Sequence, residues 1–418
     1  MALITKLQQL KLPDGSAKDI FVDSLSGQIT AWHDHPDVIV DLEGYIALPA
    51  PAEIHAHLDK ALLALENPDL VAEGGLRFAI ERMRRVAPDR AGIVARARRA
   101  VEQMVRNGYT LIRTHVDINE RTGLSSLLAL LEVKEWTKRI DLVDLEIVGL
   151  FGSPITGIAG TDHRILLDQA VAAGIDAVGG CPWLDPRPRD ALEVLAKAAD
   201  TAGLPLDMHT DETTDPKVLT ISDLIDIKRA GFAGNVTASH CVSLASQQLP
   251  LLSDLAEQLA DANITVVALP QTNLFLQGRE GGVPIPRAVA PIRFLASAGV
   301  QIAVGQDNVA DPFYPLGRMD AMETASLTVA TSHLRLDDAW AATSTTVRAA
   351  LGREPAGFRV GDRAEILALR ADSLAAAMAT SALDRVVVHN GRIVSTTTCS
   401  TTLEMPRPQM HRSAGANL

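Results

Sequence analysis

Pro51-Ala52-Glu53-Ile54-His55-Ala56-His57-Leu58-Asp59-Lys60 follows directly on the apolar run Tyr45-Ile46-Ala47-Leu48-Pro49 and carries two histidines one residue apart. Side chains at i and i+2 of a β-strand point to the same face. A His-x-His at a strand end therefore aims two imidazoles at one point, which suits a divalent metal. The pair alone is weak, because the same spacing arises by chance on surfaces, as in His33-Asp34-His35. Its weight comes from the rest of the chain, which keeps supplying His, Glu and Asp at the ends of further apolar strands.

Those strands are Tyr109 to Val116, Leu145 to Leu150, Ala177 to Gly180, Leu204 to His209, Val236 to His240, Ile264 to Leu269 and Val300 to Gly305. With the strand from Ile54 they make eight. Stretches such as Ala91 to Arg106 and Leu192 to Ala202 separate them with Ala- and Leu-rich helical periodicity. Eight strand-helix units predict a (β/α)8 barrel over residues 51–354. A doubly wound sheet is the alternative, but no Gly-rich phosphate loop follows the first strand. Asp19 to Val22, Gly27 to Trp32, Gly361 to Leu369 and the Asn-Gly hairpin Arg385 to Val394 predict a small β-sandwich built from both chain ends, residues 1–50 and 355–398. Residues 399–418, rich in Ser, Thr and Pro, read as a loosely ordered tail.

The composition fits an enzyme of this kind. The 418 residues are 47% hydrophobic and 22% charged, and the net charge of -12 would repel the phosphates of a nucleic acid. Cys181, Cys241 and Cys399 have no paired spacing, so neither a disulfide framework nor a zinc-cysteine site is expected; Cys181 and Cys241 read as small barrel-lining hydrophobes. Met1-Ala2-Leu3-Ile4-Thr5-Lys6 lacks the long apolar segment expected of a signal peptide, and no run reaches the roughly 18 apolar residues of a membrane span. A cytoplasmic enzyme without nucleic-acid or membrane partners is the expectation.

Active sites of such barrels lie at the C-terminal ends of the strands. His55 and His57 end strand one, Arg113, His115 and Asp117 strand two, His209 and Glu212 strand five, His240 strand six, and Asp307 and Asn308 strand eight. Burying so many polar groups at one end of an apolar barrel is costly without a common purpose. His55, His57, His209 and Asp307 make a nitrogen and oxygen set for one Zn2+ or Fe2+ per chain, with a position open for water. The metal would lower the pKa of that water and give a hydroxide nucleophile. Glu212 is placed to shuttle a proton, His240 to steady the hydroxide or polarise the bond under attack, and Asp307 to accept a proton as well as ligate. His115 and Asp117 either orient the metal histidines, or Asp117 forms a buried ion pair with Arg113. Lys60 is either a substrate contact or a salt bridge near Asp59. His33, His35, His163, His333, His389 and His411 read as surface residues.

With these residues in view, the chain from about 45 to 395 resembles the cytosine deaminase branch of the amidohydrolase superfamily. The motifs are His55-Ala56-His57-Leu58-Asp59, Arg113-Thr114-His115-Val116-Asp117, His209-Thr210-Asp211-Glu212, Thr237-Ala238-Ser239-His240, Asn273 to Arg279, and Gly305 to Gly317. The resemblance implies a mononuclear metal-dependent barrel, usually oligomeric, with the ligands and roles given above and no bridging carboxylated lysine. It also marks departures. A glutamine that reads the pyrimidine edge after strand three is absent from Phe151-Gly152-Ser153-Pro154-Ile155-Thr156; Asn308 stands for a second Asp, and Phe313 for a Trp. Lys60 is similar instead to relatives acting on triazines, such as N-isopropylammelide isopropylaminohydrolase, although those replace the glutamate kept here as Glu212. The expected activity is hydrolytic deamination of a small heterocycle (an aminated pyrimidine, triazine or related cyclic amidine) rather than of cytosine. Lys60, Ser153, Trp183, Gln277, Asn308 and Phe313 are the candidate substrate contacts. Hydrolysis of a cyclic amide or an N-alkylamino ring is the alternative, and a non-catalytic sensor or scaffold a remote one.

Overall fold

The computed structural model describes residues 3–71, 74–87, 89–279 and 286–404. Five strands come first: β1 (Ile4–Lys11), β2 (Ala17–Asp23), β3 (Gln28–Thr30), β4 (Val38–Asp41) and β5 (Tyr45–Pro49). Eight follow with helices between them: β6 (Ala52–Ala56), β7 (Leu111–Ile118), β8 (Asp144–Phe151), β9 (Ala177–Gly180), β10 (Leu206–Thr210), β11 (Val236–His240), β12 (Thr265–Ala268) and β13 (Ile302–Val304). The chain ends in β14 (Ile366–Arg370), β15 (Arg385–His389) and β16 (Arg392–Thr397).

Strands β6 to β13 pair in chain order and all in parallel, each with the next. All eight predicted strands are present, with ends shifted by a residue or two. The barrel closes between β6 and β13 through a bridge of Ala56 with Asp307 and the Asp307 N–H, which donates to the His55 carbonyl at 2.9 Å. Alternation sorts the side chains. On β7, Ile112, Val116 and Ile118 join the core under the helices, so Arg113, His115 and Asp117 take the opposite face, towards the barrel axis. On β10, Leu206 and Met208 face the helices and leave Asp207 and His209 inside.

The helices are cut to length by their sequence. Pro188–Ala202 and Thr161–Ala173 end on Gly203 and Gly174, each left-handed (φ +66° and +98°), a conformation glycine adopts without a steric penalty.

The remaining strands hydrogen-bond along one path, β16-β15-β14-β5-β1-β2-β3, with β4 on β1. Leu7, Leu10, Ile20, Val22, Ile29, Ile366, Ala368, Val386 and Val388 pack into a single core, so strands from both chain ends enclose one interior. Sequence reading found β2, β3, β14, β15 and β16 and missed β1 and β4. The Asn390-Gly391 turn has both residues at positive φ (49° and 71°), as a two-residue hairpin of this kind requires. Residues 399–404 carry no regular structure, while the rest of the expected tail, including His411, lies outside the described residues. Among the described residues no helix is long and apolar enough to cross a membrane.

Candidate metal centre and active site

Four side chains from three parts of the barrel converge at its C-terminal end. His57 Nε2 lies 3.3 Å from His209 Nε2 and 3.1 Å from Asp307 Oδ1, and His55 Nε2 lies 3.6 Å from the same oxygen. Ligand atoms about 2.0–2.1 Å from an ion at tetrahedral angles stand roughly 3.3 Å apart, so these separations fit a single cation. His55 Nε2 and Asp307 Oδ2 are buried with no hydrogen-bond partner among the described residues, a cost that a cation would remove. The donor set therefore fits the ion expected from the sequence. His55 is steadied by Ser239, whose Oγ is 2.9 Å from Nδ1, and by a stack on His115 with ring centroids 3.9 Å apart.

Electrostatics point the same way. Burial pushes the imidazoles of His55, His57 and His209 well below the usual histidine range, which keeps them in the neutral form that ligates. Burial, and then the charge of Glu212, drives the Asp307 carboxyl well above its ordinary value, so an ionised carboxylate there calls for a cation beside it. Glu212 is itself pushed up to about 8, by burial alone. His240 is brought down to about 3, again by burial. Asn273 Nδ2 donates to His240 Nδ1 at 3.0 Å, which leaves the proton of the neutral ring on Nε2, and that atom has no partner within the described residues. Glu212 Oε1 is 3.7 Å from the same ring. Both His240 and Asp307 sit at positive φ (72° and 69°), backbone that non-glycine residues seldom adopt and that concentrates at functional sites.

These groups open into a cavity of about 760 Å³, within the range of small-molecule sites, whose rim carries Arg77, Arg84 and Arg121. A family model described as the Amidohydrolase family matches residues 70–395. The chain belongs to that family. As an amidohydrolase it is a hydrolytic enzyme acting on carbon–nitrogen bonds. It is 33% identical to the pterin deaminase of Rhizobium rhizogenes over 91% of this chain and 86% of that protein. It is 24% identical to the N-isopropylammelide isopropyl amidohydrolase of a Pseudomonas species, over 85% of this chain and 87% of the other. Among solved structures, the 5-methylcytosine deaminase of Klebsiella pneumoniae liganded with 5-fluorocytosine matches with a TM-score of 0.83 at 27% identity, covering 96% of this chain and 99% of that one.

The candidate substrate contacts of the amidohydrolase divide. Lys60, Ser153, Asn308 and Phe313 line the cavity, whereas Trp183 and Gln277 are not on its wall. Gln277 is turned away and donates to the Glu212 carbonyl at 3.0 Å; at the position of Trp183 the wall is formed by Leu184. Asn308 is tied down, donating to Asp311 at 2.9 Å and accepting from Thr272 at 3.0 Å. Lys60 pairs with Asp117 at 3.0 Å and Asp59 at 3.5 Å, and its ammonium also lies 3.2 Å from His57 Nδ1. Burial works against the Lys60 charge, but Asp117 and Asp59 outweigh it and hold its pKa above the ordinary lysine value.

Three expectations need correction. Arg113 is not paired with Asp117; it holds Glu146 at 2.7 Å and Asp207 at 3.0 Å, and Asp207 in turn lies 3.5 Å from His115. Neither carboxylate was singled out from the sequence, although Asp207, two residues before His209 on one strand, had the spacing to be found. His163 and His389 are buried rather than on the surface. His389 pairs with Glu365 at 2.9 Å, and His163 lines the cavity. Cys241 is buried as expected, whereas Cys181 is half-buried in the cavity wall.

Proposed function

We propose that this amidohydrolase removes an amino group by hydrolysis from a small nitrogen heterocycle, with a 2-amino-4-oxopteridine as the first substrate to test. The observation that carries the reading is the placement of the Glu212 carboxyl: buried, held by no ion pair closer than 3.7 Å among the described residues, and on the wall of the same cavity as His57, His209 and Asp307, where it can take a proton from water and hand it to a ring. The 33% identity to a pterin deaminase supports the choice of ring.

His55, His57, His209 and Asp307 would hold one divalent ion, Zn2+ or Fe2+. Bound there, such an ion supplies a water acidic enough to attack at neutral pH. Glu212 takes a proton from the attacking water and returns it to the ring nitrogen, so that the amidine-like carbon can become tetrahedral. His240 Nε2–H donates to the oxygen being added and favours the charge that develops on it. Asp307, next to the same oxygen, accepts the second proton and passes it to the departing amine. Water is consumed and ammonia released as the C–NH2 carbon becomes a carbonyl.

The test is metal content together with ammonia release from a panel of aminated pyrimidines, triazines and pterins. The expected result is about one ion per chain, with release lost in Asp307→Ala along with the ion. Glu212→Gln should keep the ion and lose roughly 10²- to 10⁴-fold in rate. Bound metal with no ammonia from any member would refute deamination. If an alkylamine appeared instead, the N-alkylamino reading favoured by the N-isopropylammelide relative would take its place.

A further inference from the structure

His163 stands in the first turn of helix Thr161–Ala173, 5% exposed, with its ring on the cavity wall beside Gly152 and Ser153. Its Nδ1 lies 2.7 Å from the carbonyl oxygen of Pro154. A carbonyl only accepts, so this nitrogen carries a proton, and in the neutral imidazole Nε2 is then a hydrogen-bond acceptor. Nε2 has no hydrogen-bond partner among the described residues, since the bond to Pro154 is the ring's one hydrogen bond there. The backbone is shaped to admit it: a Cβ on Gly152 would stand 2.6 Å from Nε2. Only a glycine at the end of β8 lets the ring edge come this close. The helix that follows the loop Phe151–Thr156 brings a histidine to the same strand end.

We infer that His163 Nε2 is the acceptor that reads a ring N–H on the substrate edge turned towards the end of β8, and so selects heterocycles bearing an unsubstituted lactam or amidine N–H. The inference rests on the heterocyclic substrate proposed above. Nε2 faces the cavity without a partner among the described residues, and a ring seated against it with a methylated nitrogen shuts water out without donating in its place, so the N-methyl analogue is penalised.

The experiment compares 2-amino-4-oxopteridine with its ring N-methyl derivative, read as kcat/KM for ammonia release. The corresponding deaminated 2,4-dioxopteridines are compared by calorimetric Kd on the same full-length enzyme. The wild type is expected to favour the N–H ring by about tenfold or more on both readouts. His163→Ala should abolish the preference, and His163→Gln, whose amide oxygen can accept, should keep part of it. Gly152→Ala, which pushes the ring off the strand end, should erode it with metal content unchanged. A His163→Ala protein that melts normally and keeps the full preference would overturn the inference; if that variant does not fold, an undiminished preference in Gly152→Ala does so. Preferential product binding without ammonia release would leave His163 in place and overturn the deaminase reading, whereas ammonia release with no wild-type preference would do the reverse.

Discussion

Glu53 holds the barrel seam from which the site hangs, and removing it should loosen both. The residue is buried, and its Oε1 accepts the backbone N–H of His55 at 3.0 Å and of Gln306 at 3.2 Å. It thereby occupies the gap where β6 and β13 lack a regular ladder, and a Cβ on Gly305 would stand only 2.5 Å from that oxygen. One N–H belongs to His55 itself and the other to the residue before Asp307, so the carboxyl fixes their backbones relative to one another. Glu53→Ala strands two buried N–H donors at about 1–3 kcal/mol each, and the expected loss is about 2–6 kcal/mol. Glu53→Gln presents its carbonyl in the position of Oε1, keeps both bonds, and should cost less than about 1 kcal/mol. Urea unfolding with unchanged m gives the difference, and metal retained after dialysis gives the consequence at the site. Equal destabilisation by Ala and Gln would refute the account, because a charge rather than an accepting oxygen would then close the seam.

Two further predictions concern buried charge. Arg113→Met leaves Asp207 without its cation and Glu146 with Arg353 alone, and should cost about 3–5 kcal/mol in urea unfolding. Adding Asp207→Asn should recover part of it, and a purely additive double variant would show that the pair is not coupled. In the His389–Glu365 pair, burial lowers the His389 pKa but the Glu365 hydrogen bond and charge outweigh it, so the folded value lies above the ordinary 6.5. Its stabilisation is full below 6.5 and lost as pH rises through the raised folded value. Glu365, where burial is outweighed by His389, is lowered from 4.5, so its contribution is full above 4.5 and lost as pH falls through the folded value. His389→Gln should therefore flatten unfolding free energy against pH on the alkaline side, and an unchanged slope would count against the pair.

The eight strands, and the histidines and acids at their ends, were legible in the sequence because strand period and strand-end position are local properties. His55, His57, His209 and Asp307 each announce themselves at the end of an apolar run, and their convergence follows once a barrel places all strand ends on one rim. The Asn390-Gly391 hairpin is local in the same way. What sequence could not decide is which charges meet across strands. Arg113 chose Glu146 and Asp207, 33 and 94 residues away, over Asp117 four residues along, because a side chain pointing into the barrel reaches its lateral neighbours before the next layer of its own strand. His163 lies not at a strand end but on the helix after β8, and only the return of that helix over Gly152 carries its ring to the cavity. Local pattern fixed the elements and the metal-ligand candidates. Packing between elements selected the ion pairs, the cavity wall and the place of His163 on it, because those depend on distances the chain acquires only on closing the barrel.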